Sequence, residues 1–77
     1  MLIQVFGPGC ARCRTVAENA RRAVEELGKD AQIEQIEDVE TIMRAGVLMT
    51  PAVMIDGKLV GSGHLLSLEA LKEIISR

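Results

Sequence analysis

Gly7-Pro8-Gly9-Cys10-Ala11-Arg12-Cys13 stands between a short apolar run and a long helical pattern, and it holds both cysteines of the chain. A turn that opens a helix brings side chains at i and i+3 together, so two thiols at this spacing can join in a disulfide or share a soft metal ion. On the upstream side, Leu2-Ile3-Gln4-Val5-Phe6 is rich in strand formers and stops at Gly7-Pro8-Gly9, which predicts a buried strand feeding a tight loop. Downstream, Val16, Ala17, Ala20, Ala23, Val24 and Leu27 recur at helical spacing opposite Glu18, Arg21, Arg22, Glu25 and Glu26. This predicts an amphipathic helix from about Cys10 to Leu27, with Gly28 as its left-handed stop and a Glu18–Arg22 pair on its outer face.

The chain then returns through Gln32-Ile33-Glu34-Gln35-Ile36-Glu37, a strand that completes a parallel β-α-β unit. Asp38 is placed to cap a short helix over Val39 to Ala45. After Met49-Thr50-Pro51 come two strand-like runs, Ala52-Val53-Met54-Ile55 and Lys58-Leu59-Val60. Asp56-Gly57 between them is a strong hairpin signal, because both central positions of a type I′ turn need positive φ. Gly61-Ser62-Gly63 closes the hairpin with a bulge or a close backbone approach, and Ser67 caps a last helix whose Leu68, Leu71, Ile74 and Ile75 share one face. The order is β-α-β-α-β-β-α, an α/β chain expected to form one domain over residues 1–77.

Composition narrows the function classes. With 77 residues, 48% of them apolar, and Phe6 as the single aromatic, the core must be built from aliphatic side chains. The net charge of −2 comes from 9 basic and 11 acidic residues scattered along the chain, which argues against nucleic acid as a partner. No apolar run approaches the roughly 20 residues that span a bilayer, and no leader pattern opens the chain, so a cytoplasmic protein is expected. Two cysteines are too few for a small secreted disulfide scaffold, and in a reducing compartment such a pair is reactive or metal-binding.

A cysteine in the first turn of a helix lies near unpaired N–H groups and the positive end of the helix dipole. Arg12 and Arg14 add two cations, so Cys10 is expected to hold its thiolate below the free thiol value of about 8.5 and to act as the nucleophile. Cys13, one turn further in, is expected to resolve the mixed disulfide. His64, the one histidine, completes at most three of the four ligands of a zinc site with Cys10 and Cys13, and a loop role suits it better. Met43, Met49 and Met54 are soft donors, yet methionine more often fills gaps in a core; Met49 alone lies in a loop expected to face the cysteines.

Gly9-Cys10-Ala11-Arg12-Cys13 after the first strand, Thr50-Pro51 before the third, the Asp56-Gly57 hairpin, and Gly61 and Gly63 before the last helix together resemble the thioredoxin superfamily. The similarity covers essentially the whole chain and is to its compact, glutaredoxin-sized redox-active-disulfide members in prokaryotes. It implies a thioredoxin-like four-stranded mixed sheet in the order 2-1-3-4, with helices on both faces and the third strand antiparallel to the first. It also implies a cis Pro51 against the cysteine pair and a Thr50 backbone that takes up an extended substrate segment as an added strand. The expected activity is thiol–disulfide exchange by a Cys10–Cys13 dithiol, with no cofactor beyond that reversible disulfide. Gly9, Arg12, Met49, Thr50, Pro51 and Gly63 would contact a disulfide-containing protein or small molecule. A reductase or dithiol donor would restore the pair, in electron transport or cell redox homeostasis, and a monomer without membrane attachment is expected.

The chain departs from typical thioredoxins in carrying Gly9 where they have an aromatic, Ala11-Arg12 between the cysteines, and Gln4 where they have a buried carboxylate. A soft-metal carrier for copper, zinc or arsenic is the competing class. Small heavy-metal-associated domains also place such a cysteine pair after the first strand, but they end on a strand, and this chain ends on a helix.

Overall fold

The computed structural model describes residues 1–9, 11–63 and 65–76, so Cys10, His64 and Arg77 lie outside the described residues. The elements are β1 (Leu2–Phe6), α1 (Ala11–Leu27), β2 (Gln32–Ile36), α2 (Val39–Arg44), β3 (Ala52–Ile55), β4 (Lys58–Ser62) and α3 (Leu68–Ser76). β1 pairs in parallel with β2, from Leu2↔Gln32 to Phe6↔Ile36, and antiparallel with β3, from Ile3↔Ile55 to Phe6↔Ala52. β4 adds an antiparallel edge, giving the order β2-β1-β3-β4.

Each boundary has a local cause. Gly28 ends α1 at φ 64°, where the Lys29 N–H reaches the Val24 carbonyl and the Gly28 N–H the Glu25 carbonyl, satisfying groups a helix end leaves open. Asp38 caps α2 by accepting from the Thr41 N–H at 3.0 Å and the Thr41 hydroxyl at 2.7 Å. These bonds to the charged form hold its carboxyl below its ordinary value of 3.8. Ser67 caps α3 through the Ala70 N–H at 3.1 Å. The hairpin turn has φ 50° at Asp56 and φ 82° at Gly57. Asp56 also holds the start of β1: its carboxylate accepts the Leu2 N–H at 2.8 Å, and its own N–H donates to the Leu2 carbonyl at 2.8 Å.

Strand alternation divides the core between the two sheet faces. Ile3, Val5 and Val53 point to one face and pack with Val16, Ala17, Ala20 and Ala23 of α1, and with Leu66, Leu71 and Ile75 from the α3 side. The alanines keep α1 close to the sheet and to α3. Asn19 donates to the Leu66 carbonyl at 3.0 Å and Lys72 meets Glu26 at 3.0 Å, so polar contacts also tie α1 to α3 and its approach. On the opposite face Phe6 and Ala52 pack with Ile42 of α2 and Val47. Helices therefore cover both faces.

Four details differ from the sequence expectation. β4 runs two residues further, to Ser62, because a register shift opposite Val53/Met54 lets Gly61 and Ser62 stay paired. β2 ends at Ile36 and α2 at Arg44. The Glu18–Arg22 pair is not made: Glu18 meets Arg21 at 3.6 Å, while Arg22 lies 3.7 Å from Glu26, which also meets Lys72.

Candidate functional site

β1 delivers the chain to Gly7, and the Gly7 N–H donates to the Ile36 carbonyl at 2.9 Å, carrying the parallel pairing one step past the strand. Gly7 is buried, and a methyl group on its Cα would lie 2.1 Å from Cys13 Sγ and 2.6 Å from Cys13 Cβ. No side chain other than hydrogen fits there. The Cys13 thiol is thus seated directly over the Gly7 backbone, and Cys13 is only 1% exposed. Gly9 has φ 87°, which turns the chain toward α1, and Arg12 and Arg14 are exposed on the first turn of that helix.

The second half of the site comes from the loop before β3. The Thr50–Pro51 peptide is cis and Pro51 is buried. The Pro51 carbonyl accepts the Gly63 N–H at 2.9 Å, and the Met49 carbonyl accepts the Ser62 hydroxyl at 3.1 Å. Gly63, at φ 80°, presents its bare Cα to Met49, whose Cε, Cβ and Sδ would lie 3.0, 3.1 and 3.2 Å from an added methyl. Met49 nonetheless remains 61% exposed, beside a 95% exposed Leu48. Because β1 and β3 pair as Phe6↔Ala52, the same antiparallel register one residue further sets Gly7 opposite Pro51. The seat of Cys13 and the proline loop therefore meet at the ends of two adjacent central strands.

Of the residues singled out by sequence, Gly9, Arg12 and Cys13 belong to the first half, and Met49, Thr50, Pro51 and Gly63 to the second. Cys10 and His64 lie outside the described residues, as does their suggested zinc set with Cys13. Among the described residues no group of three His, Cys, Asp or Glu side chains is gathered to hold a metal ion. Gln4 faces away from α1, since Ile3 and Val5 take the α1 side, and its amide donates to the Glu34 carboxylate at 3.2 Å. It takes no part in the seat of Cys13.

Two features had gone unread. Gly7 looked like part of a turn but serves as a floor for a thiol, and the only hint was a glycine six positions before Cys13. Glu37 carried no signal at all, yet its carboxylate Oε2 lies 2.9 Å from the point a Gly9 Cβ would occupy.

A mixed four-stranded sheet with a cysteine seated at the end of its first strand, opposite a cis-proline, defines a thiol-redox scaffold. Residues 1–76 match the family model described as a thioredoxin domain, and the chain belongs to the thioredoxin family. It is similar to a thioredoxin of Methanothermobacter thermautotrophicus, 43% identical over 76 residues that cover 99% of each chain. It is also similar to a thioredoxin of Methanocaldococcus jannaschii, 42% identical over 73 residues, covering 95% of this chain and 84% of that one. It is thus a thioredoxin-like redox protein, and among the described residues no helix is long and apolar enough to cross a membrane.

Proposed function

We propose that the chain is a thiol–disulfide oxidoreductase acting through Cys10 and Cys13. The Cys10 thiolate attacks one sulfur of a substrate disulfide, forming a mixed disulfide and expelling the other sulfur as a thiolate. Cys13 loses its proton and attacks Cys10 Sγ, so the Cys10–Cys13 disulfide forms and the second substrate sulfur leaves. Two electrons pass to the substrate, whose two thiolates take up protons from solvent or from Cys13. A dithiol donor or reductase reverses the change in the protein, and no other cofactor enters.

The observation that carries this reading is the seat of Cys13 over Gly7, in register with Pro51. A buried thiol one turn behind the loop suits the second attack rather than the first, because it is shielded from external disulfides until Cys10 has been derivatised. Thr50 offers its backbone to an extended substrate segment, and exposed Met49 offers an apolar contact. Gly9 and Gly63 keep the approach free of side chains, and Arg12 favours the Cys10 thiolate. The protein is proposed to work as a cytoplasmic monomer on protein or small-molecule disulfides.

Alkylation with mass detection tests the cycle. Oxidised protein treated with dithiothreitol should gain two alkyl groups that the untreated protein lacks, and Cys13→Ser should accumulate a mixed disulfide at Cys10. If no Cys10–Cys13 disulfide interconverts, the proposal fails; stoichiometric retention of Cu(I) or Zn(II) through gel filtration would favour the metal carrier.

A further inference from the structure

The geometry points to Ser62 as a positioning residue for an extended substrate segment: its hydroxyl sets the Met49–Thr50 peptide so that the Thr50 N–H faces away from β4. The Ser62 hydroxyl donates to the Met49 carbonyl at 3.1 Å, and one residue on, the Gly63 N–H donates to the Pro51 carbonyl at 2.9 Å. The end of β4 therefore takes up the carbonyls on either side of Thr50. Only the first of these bonds depends on a side chain. No step of the thiol-exchange scheme uses that hydroxyl.

A trans peptide holds its N–H and C=O in opposite directions. The Met49–Thr50 bond is trans, so a Met49 carbonyl drawn toward β4 sends the Thr50 N–H the other way. In the order β2-β1-β3-β4, that is the side on which β1 ends and Gly7 lies opposite Pro51. Among the described residues Ser62 is the one donor to the Met49 carbonyl. Without its hydroxyl, the peptide plane is free to turn about the flanking backbone dihedrals.

Thr50 itself is unmatched. It is half-buried, and among the described residues no hydrogen bond engages its N–H or its carbonyl. Backbone groups shielded in this way are ordinarily paired, with the chain, with water or with a ligand. An extended peptide laid along Thr50 gains a donor and an acceptor from one residue, which is the pattern of strand addition. Ser62 thus keeps the loop in the one orientation that offers this donor. The hold is one hydrogen bond, equivalent to about a two- to tenfold change in affinity.

This inference rests on the proposed reading that Thr50 receives the substrate segment, and a peptide that cannot react tests it separately from the disulfide cycle. The probe is a short blocked peptide of alternating valine and threonine, with a central serine where a substrate has cysteine, titrated into isotope-labelled reduced protein. In the wild type the Thr50 amide resonance should shift on titration. Ser62→Ala should bind about two- to tenfold more weakly, and Ser62→Thr, which keeps the hydroxyl, should restore the wild-type affinity. In turnover, hydroxyethyl disulfide has no backbone to pair. The ratio of kcat/KM for the matching peptide disulfide to that for hydroxyethyl disulfide should therefore fall by the same factor in Ser62→Ala, through KM. A general loss of structure would lower both and leave the ratio fixed. Equal peptide affinities for the wild type and Ser62→Ala, an unchanged ratio, or a Thr50 amide that does not respond would overturn the assignment. A wild type that binds the peptide through Thr50 yet reduces neither disulfide would instead overturn the oxidoreductase reading alone.

Discussion

Cys13 occupies the volume that any side chain on Gly7 would need: its Sγ lies 2.1 Å from the position of a Gly7 Cβ. Gly7 does not have a positive φ, so its requirement is one of space rather than of backbone conformation. Gly7→Ala should therefore expel the thiol and shift the first turn of α1. The expected cost is about 1–3 kcal/mol of stability, typical of overpacking a close-packed site. Native-state alkylation of Cys13, slow in a residue 1% exposed, should accelerate in the variant. An unchanged denaturation midpoint together with an unchanged alkylation rate would contradict the seat.

Gly63 makes a different demand, because it has φ 80° and also touches Met49. Gly63→Ala should cost about 1 kcal/mol for the left-handed backbone and a further amount for pushing Met49 away. Adding Met49→Ala should recover only the share of that second part due to Sδ and Cε, since the Cβ contact stays. A thermodynamic cycle over the two substitutions should show coupling of at least about 0.5 kcal/mol, whereas strict additivity would mean that the contact carries no energy.

Asp38 links the helix cap to pH. Its carboxyl is held below its ordinary value by the Thr41 hydroxyl and N–H, so it binds fewer protons in the folded chain than in the unfolded one. Its contribution is complete above the unfolded value of about 4 and is lost as pH falls through the lower folded value. Asp38→Asn, which keeps a capping oxygen without the charge, should lower the melting temperature at pH 7. It should also flatten the loss of stability below about pH 4. Parallel acid-melting curves for the two proteins would remove Asp38 from the account.

Leu71→Ala should destabilise by about 2–5 kcal/mol, since the side chain is fully buried between α3 and the rest of its core. Leu59→Ala, at a residue 48% exposed on the edge strand, should stay within about 0.5 kcal/mol. Chemical denaturation of both variants distinguishes a core that includes α3 from one in which α3 merely lies against the surface.

The architecture was legible because its signals are local and agree with one another. The run of strand formers in β1, the helical spacing of α1, the Asp38 and Ser67 caps and the Asp56-Gly57 turn each sit within a few residues, and each marks an element where the structure has one. Pairing order followed from the resemblance rather than from pattern. What escaped was long-range. Arg22 and Lys72 of α3 converge on the same Glu26 carboxylate, and the second of these contacts joins residues 46 positions apart. The second hold on the start of β1, from Asp56 to Leu2, spans 54 positions. Glu37 meets Gly9 only because β2 lies parallel to β1. In the candidate site, spacing marked the cysteine half and the resemblance supplied the Thr50-Pro51 half, while the reason they fit, a hydrogen atom at Gly7 in place of a side chain, appears only when α1 is laid back across the sheet.

Among the described residues the two sheet faces carry coats of unequal weight: a ten-residue buried cluster on the α1 and α3 side and a four-residue cluster under α2. Cooperative openings follow such divisions, and the lighter coat opens at lower free energy than the whole. Amides of α2 and of the segment leading to Met49 would then exchange with solvent through partial opening, while those of β1 and α1 exchange only when the chain unfolds. Cys13 is carried by the heavier coat, and Leu48, Met49 and Thr50 hang from the lighter one. On this division the loop opposite the thiol seat is expected to open at lower free energy than α1, which native-state hydrogen exchange of residues 47–50 against that of α1 would show.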